Sequence, residues 1–263
     1  MAKAKKQAQI KRALLEDSTS FAVRESYGML RTNILYMPCD DDARVIAITS
    51  AEESSGKSTI IANLALSFAR MGKKVVLIDA DMRCPKQHQF FKYEKDRCGL
   101  SEYLAGISSK KEALQKNAYE SLDIISCGHL PPSPAELVLS ARFPQLMSEL
   151  KAEYDFVFID FPPIGIVSDA AAVANCITGY IFVIRANHSD SLHVKHSIEK
   201  LEQVDANILG IVFNDVNFKS GGYGHYGHYG HYGRSHYENS KYERSDRKVH
   251  QSQAAKAPET KTK

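Results

Sequence analysis

Three carboxylates and one lysine stand where phosphate chemistry is possible. The run Ala51-Glu52-Glu53-Ser54-Ser55-Gly56-Lys57-Ser58-Thr59 follows an apolar segment and opens a helix-like one. That is the context in which a Walker A loop holds a polyphosphate. Backbone N–H groups and the helix N-terminus surround the phosphate oxygens, and Gly56 lets the backbone approach. Lys57 supplies a point charge, Ser58 offers a hydroxyl to Mg²⁺, and Thr59 assists. Ala51 stands where the usual pattern has its first glycine. Asp79 and Asp81 follow the apolar run VVLI, and Asp160 follows FVFI. An open α/β sheet binds its ligands at such strand ends. A lone strand-end aspartate reads as a turn former or helix cap, but three beside a phosphate loop read as a Mg²⁺ and proton-transfer site. Ser58, Asp79 and Asp160 are the expected metal ligands, with Lys57, Asp79, Asp81 and Asp160 as the catalytic set. A tyrosine hydroxyl, with a reference pKa of about 10, attacks far better when a carboxylate takes its proton. Asp79 is the expected base and Asp81 its support, with the choice between the two left open.

The elements that must position these residues alternate in type. Apolar periodicity predicts a helix over 13–37, ended by Pro38. Strands are expected at 45–49, 75–79, 156–160, 180–184 and 208–214, with helices at 58–70, 135–150 and 190–203. Continuous Val/Ile/Phe runs joined by helices imply a parallel sheet covered on both faces. The expected fold is α/β, a doubly wound, mostly parallel sheet of P-loop type. The expected division is an N-terminal basic arm and leading helix over 1–40, the α/β domain over 41–217, and a tail over 218–263.

Composition narrows the class. The chain has 263 residues, 43% of them hydrophobic, with a formal net charge of +3. That is enough for one substantial core. No stretch has the length of a membrane span and the lysine-rich start has no signal-peptide core, so a cytoplasmic location is expected. The five cysteines include no C-x-x-C pair, which argues against a zinc site or disulfide framework. Residues 218–263 carry nine Lys/Arg against four Asp/Glu, a dilute cationic segment that reads as solvating and not as a nucleic-acid surface. Val249 is the last branched aliphatic residue there, too few for a core, so this tail is expected to be disordered. It carries a Tyr-Gly-His repeat with Tyr223, Tyr226, Tyr229 and Tyr232, followed by Tyr237 and Tyr242. Its reach, roughly 35–40 Å as a random coil, allows delivery of these tyrosines to a neighbour's site.

These features together resemble the bacterial tyrosine kinases, over about residues 20–242. The marks are the Walker A loop, the Asp79-Ala80-Asp81-Met82-Arg83 motif, Asp160 followed by Pro162-Pro163, and the tyrosine-rich tail. Pro131–Leu137 and Val167-Ser168-Asp169-Ala170 are also similar to the family. The resemblance is nearest to the capsule- and exopolysaccharide-regulating members of Gram-positive bacteria. It implies ATP and Mg²⁺ as cofactors, autophosphorylation of the tail by a neighbouring copy in a homo-oligomer, and a cognate tyrosine phosphatase. It also implies a transmembrane activator that recruits the chain to the inner face of the membrane. Asn214 is a candidate adenine contact by the same resemblance. Arg83 is a brace for the carboxylates or an intersubunit contact. Glu25 and Arg31 match the family's assembly motif, with Gly28 in place of its middle arginine. Two other readings are a partition or division-site ATPase, whose signature lysine is replaced here by Glu52, and a metal-binding protein using His225, His228, His231 and His236, which lack carboxylate or cysteine partners.

Overall fold

The computed structural model describes residues 14–16, 19–37, 44–91 and 97–216. The tail tyrosines and the histidine repeat lie outside them. β1 (Arg44–Ser50) leads through the phosphate loop into α2 (Lys57–Ala69), preceded by α1 (Phe21–Leu35). Then come β2 (Val75–Asp79), the short helices α3 (Gln87–Phe90), α4 (Leu100–Leu104) and α5 (Lys110–Ala113), and the hairpin β3 (Leu114–Tyr119) and β4 (Leu122–Ile125). α6 (Pro134–Val138), α7 (Arg142–Glu153), β5 (Phe156–Asp160), α8 (Asp169–Ala172), β6 (Gly179–Arg185), α9 (Ser191–Glu202) and β7 (Ile208–Asn214) complete it. The sheet runs β3-β4-β2-β5-β1-β6-β7. Among the described residues only the β3–β4 pair is antiparallel; β4-β2-β5-β1-β6-β7 pair in parallel. β1 leads to β2 on one side and is flanked by β6 on the other, so the phosphate loop leaves β1 where the winding direction reverses. Ligands of such sheets bind there.

Strand alternation assigns each residue to one of two cores. Val45, Ala47, Val76, Ile78, Val157 and Ile159 share a cluster with Phe143, Leu146 and Leu150 of α7 and Leu201 of α9. Ile46, Ile48, Val75, Leu77, Phe156 and Phe158 face Ile61, Leu64, Ala65 and Phe68 of α2. Continuing the period of two, Asp79 follows Val75 and Leu77, and Asp160 follows Phe156 and Phe158. Both carboxylates therefore fall on the α2 side of the sheet. The Phe68 ring lies 4.3 Å from Phe156 and 5.4 Å from Phe158, fixing the far end of α2 on β5. Truncating such a buried ring costs about 3–5 kcal/mol.

Two expected helices are shorter than their periodicity suggests. The 13–37 helix is confined to Phe21–Leu35. Leu14 is buried in the α2-side core, the Leu15 N–H donates to Asn63 Oδ1 at 2.7 Å, and its carbonyl accepts from Arg70 Nη1 at 2.7 Å. Glu16 and Thr19 close a turn on each other, so polar turn chemistry and docking on α2 displace the helix here. The 135–150 helix divides at Leu139–Ala141 into α6 and α7, which lets both Val138 and Phe143 reach the core.

Candidate functional site

The loop from Ala51 to Gly56 turns on two left-handed residues, Ser54 (φ 59°) and Gly56 (φ 94°). Gly56 caps α2, and a Cβ there would collide with the Asn214 side chain. Glycine is thus required twice, by dihedral and by contact. Neighbouring elements hold the loop's carbonyls and side chains. Asn214 Nδ2 donates to the Ser55 carbonyl at 2.9 Å and Arg185 Nη1 to that of Ser54 at 3.1 Å. The Ser50 and Ser55 hydroxyls both donate to the Glu52 carbonyl. Glu52 Oε1 accepts from the Asp190 N–H at 3.1 Å and lies 3.4 Å from His193 Nδ1, at the start of α9. With these groups turned away, the N–H groups of the first turn of α2 are left for a ligand.

The carboxylates converge beside this turn. Asp79 and Asp160 are register partners on β2 and β5, and both are fully buried. Asp79 Oδ2 accepts from the Lys86 N–H at 3.2 Å and the Gln87 N–H at 3.0 Å. Asp160 Oδ2 accepts from Gln87 Nε2 at 2.8 Å. The remaining oxygens, Asp79 Oδ1 and Asp160 Oδ1, are buried with no hydrogen-bond partner. Burial, and then the adjacent Asp160 carboxylate, push the Asp79 carboxyl well above the usual carboxylate range. Burial likewise raises Asp160, to about 6, against the opposing pull of the Lys57 ammonium and hydrogen bonds from Ser58 and Gln87. Asp81 is nearly as buried, and its Oδ1 accepts from the Cys84 N–H at 2.9 Å and the Arg83 N–H at 3.3 Å. Arg83 reaches Asp169 at 3.3 Å.

A cleft of about 540 Å³ beside these groups is lined by Gly56, Lys57, Ser58, Asp81 and Arg83 together with Pro162, Pro163, Ile166 and Val167. Its size suits a nucleotide-sized ligand. The donor set fits Mg²⁺: two bare buried carboxylate oxygens beside the Ser58 side chain are hard oxygen ligands. Among the described residues no group of three or more His, Cys, Asp or Glu forms a metal site by itself. That suits an ion that takes one or two protein carboxylates and completes its shell with phosphate and water.

Of the expected residues, the loop, Lys57, Ser58, Asp79, Asp81, Asp160 and Arg83 are brought together. Asn214 is at the loop as its tether. Thr59 lines the cleft, as does Glu53. Arg31 and Glu25 lie on α1. Arg31 Nη1 donates to Ser67 Oγ of α2 at 2.9 Å, and Glu25 is exposed. Sequence reasoning missed Gln87 and gave no role to Asp169. Asp169 heads a four-residue helix, and Gln87 sits in a stretch with no periodicity to mark it as buried.

Comparisons with known proteins agree with this geometry. A family profile described as "NUBPL iron-transfer P-loop NTPase" matches residues 42–242. The tyrosine-protein kinase YwqD of Bacillus subtilis is 38% identical over 202 residues, covering 76% of this chain and 85% of that protein. The tyrosine-protein kinase CpsD of Streptococcus agalactiae is 37% identical over 200 residues, covering 76% and 85%. The solved kinase domain of the Escherichia coli tyrosine kinase ETK superposes with a TM-score of 0.67 at 33% identity, covering 73% of this chain and 77% of that one. A phosphate loop facing paired strand-end aspartates, on a chain this similar to these kinases, places it in their family: the chain belongs to the bacterial tyrosine kinases, P-loop proteins that act as protein-tyrosine kinases.

Proposed function

We propose that this kinase uses ATP and Mg²⁺ to phosphorylate its own C-terminal tyrosines, Tyr223, Tyr226, Tyr229, Tyr232, Tyr237 and Tyr242, and thereby regulates extracellular polysaccharide synthesis. The observation that carries the catalytic half is the side-by-side placement of Asp79 and Asp160, each with one bare buried oxygen, next to Lys57 and Ser58. In this reading Lys57 and the N–H groups at the start of α2 hold the β- and γ-phosphates. The Ser58 hydroxyl and the bare oxygens of Asp79 and Asp160 hold the metal. Bound Mg²⁺ supplies charge neutralisation on the transferring phosphoryl group. Asp79 or Asp81 accepts the proton of the incoming tyrosine hydroxyl, and the raised affinity of buried Asp79 for a proton suits it to that task. Arg83, held by buried Asp169, faces the same cleft.

The acceptor half rests on the sequence, because the six tyrosines lie outside the described residues. So do the remaining partners: a second copy that presents its tail, a transmembrane activator that recruits this cytoplasmic chain to the membrane, and a cognate phosphatase. Among the described residues no helix is long and apolar enough to cross a membrane. A partition-type ATPase role is disfavoured by Glu52, whose side chain is engaged with α9 inside the subunit.

The test is incubation of the purified full chain with ATP and Mg²⁺, alone and with the activating membrane protein, followed by mapping of phosphate by mass spectrometry. Label on the tail tyrosines is the expected result, and replacing all six by Phe should remove most of it while ATP binding persists. ATP hydrolysis without phosphotyrosine under either condition would overturn the proposal in favour of the ATPase reading.

A further inference from the structure

Gln87 is completely buried at the start of α3, at a depth where an apolar side chain would be the ordinary occupant. Its side-chain nitrogen sits between two groups that only accept: the Ser58 carbonyl at 3.2 Å and Asp160 Oδ2 at 2.8 Å. This fixes the orientation of the amide, since the reverse would set oxygen against oxygen. Its backbone N–H, with that of Lys86, binds Asp79 Oδ2. One short segment, Lys86–Gln87, thus donates to the Oδ2 atoms of both aspartates, beside the Ser58 hydrogen bond to Asp160. The Oδ1 atoms of both receive none.

We propose that Gln87 is a positioning residue for the metal. It sorts the two oxygens of Asp160, tying Oδ2 to the first turn of α2 so that Oδ1 is presented to the cation, while its backbone does the same for Asp79. The inference rests on the Mg²⁺–nucleotide reading above and adds a residue to it. Without the Gln87 amide, Asp160 Oδ2 loses the bond that ties it to the first turn of α2, and the carboxylate is less restrained about its Cβ–Cγ bond. Groups that orient metal ligands in this way typically govern metal affinity by about 10–100-fold.

The experiment uses the full chain with ADP and titrates Mn²⁺, a spectroscopic stand-in for Mg²⁺, followed by electron paramagnetic resonance. Gln87→Met, similar in length and without a donor, is expected to weaken Mn²⁺ binding by about 10-fold or more, with metal-free ADP affinity within about twofold of wild type by calorimetry. On an Asp160→Asn background the same substitution should have little further effect on Mn²⁺ affinity, because Gln87 acts through Asp160. In the wild-type chain, the Gln87 side-chain amide resonance should move when Mg²⁺ is added to the ADP complex, a readout independent of how the variant folds. Mn²⁺ affinity in Gln87→Met within twofold of wild type, or a Gln87 amide resonance indifferent to Mg²⁺, would overturn the role of Gln87. Failure of the wild-type chain to bind Mn²⁺ with ADP would overturn the parent reading instead.

Discussion

Asp79 and Asp160 lie directly opposite one another on adjacent parallel strands, both fully buried and each with one oxygen lacking a donor. Two ionised carboxylates in that position repel, and a bound cation would relieve the repulsion. The Asp160 carboxyl is raised from 3.8 to about 6, so the folded ligand-free chain holds this proton more tightly than the unfolded chain. The Asp160 contribution therefore favours the folded state increasingly as pH falls from 7 through about 6 toward 4, and Asp79, raised by burial and by Asp160, extends the same trend to higher pH. Asp160→Asn should flatten this dependence and raise the melting temperature of the ligand-free protein at pH 7.5 by several degrees. The same change should lower tyrosine phosphorylation by at least about 100-fold. Thermal melts across pH 5–7.5 and phosphotyrosine assays check both outcomes.

Lys57 is nearly buried at the head of α2, with its charge acting on Asp160. Lys57→Met removes that charge while keeping the apolar stem. Tyrosine phosphorylation should fall by at least about 100-fold, and the loss of a favourable charge should push the Asp160 carboxyl further up. A wild-type rate of radiolabel transfer in this variant would contradict the assignment.

Gly56→Ala meets both a positive φ and the Asn214 side chain, so nucleotide affinity should drop sharply and stability by about 1–3 kcal/mol. Asn214→Ala is more discriminating. If Asn214 serves through its 2.9 Å bond to the Ser55 carbonyl, ADP and GDP should weaken by the same factor, about 3–10-fold for one hydrogen bond. If it reads adenine, the ratio of the two affinities should change. Calorimetry with both nucleotides separates the outcomes.

Away from the site, Glu102 joins two loops. Its carboxylate accepts from the Gly99 N–H at 2.7 Å, the His129 N–H at 3.0 Å and His129 Nδ1 at 2.8 Å. Burial opposes ionisation, but the bonds from Gly99 and His129 outweigh it and lower the carboxyl to about 2. The stability it contributes is present above its ordinary value of 4.5 and is lost as pH falls from there toward 2. Glu102→Ala should cost about 1–3 kcal/mol at pH 7, measured by urea unfolding, with the cost shrinking as pH falls below 4.5 toward 2.

Much of the frame was legible because burial on both faces leaves an unmistakable pattern. The runs VVLID, FVFID and ILGIVFN are strands with the expected limits. The β3–β4 hairpin was not legible. Its turn residues Glu120 and Ser121 adopt positive φ, a conformation that Asn-Gly announces in sequence and Glu-Ser does not. α3, α4, α5 and α8 are each four or five residues long, too short to show a period.

The sequence by itself determined the chemistry at this site: a Gly-Lys-Ser turn before a helix and three aspartates after apolar runs admit few uses other than phosphate and metal. The period of two places Asp79 with Val75 and Leu77 and Asp160 with Phe156 and Phe158, and the tertiary structure set α2 against that face. Only the tertiary structure decided which carboxylate oxygens are left bare, because that depends on donors brought from Lys86 and Gln87 by a turn with no periodic signature. It likewise turned Arg31 onto Ser67 and Asn214 onto the phosphate loop. A hydrogen bond is directional and spans about 3 Å, so it depends on where two distant segments meet in space, and residue type and spacing along the chain do not carry that information.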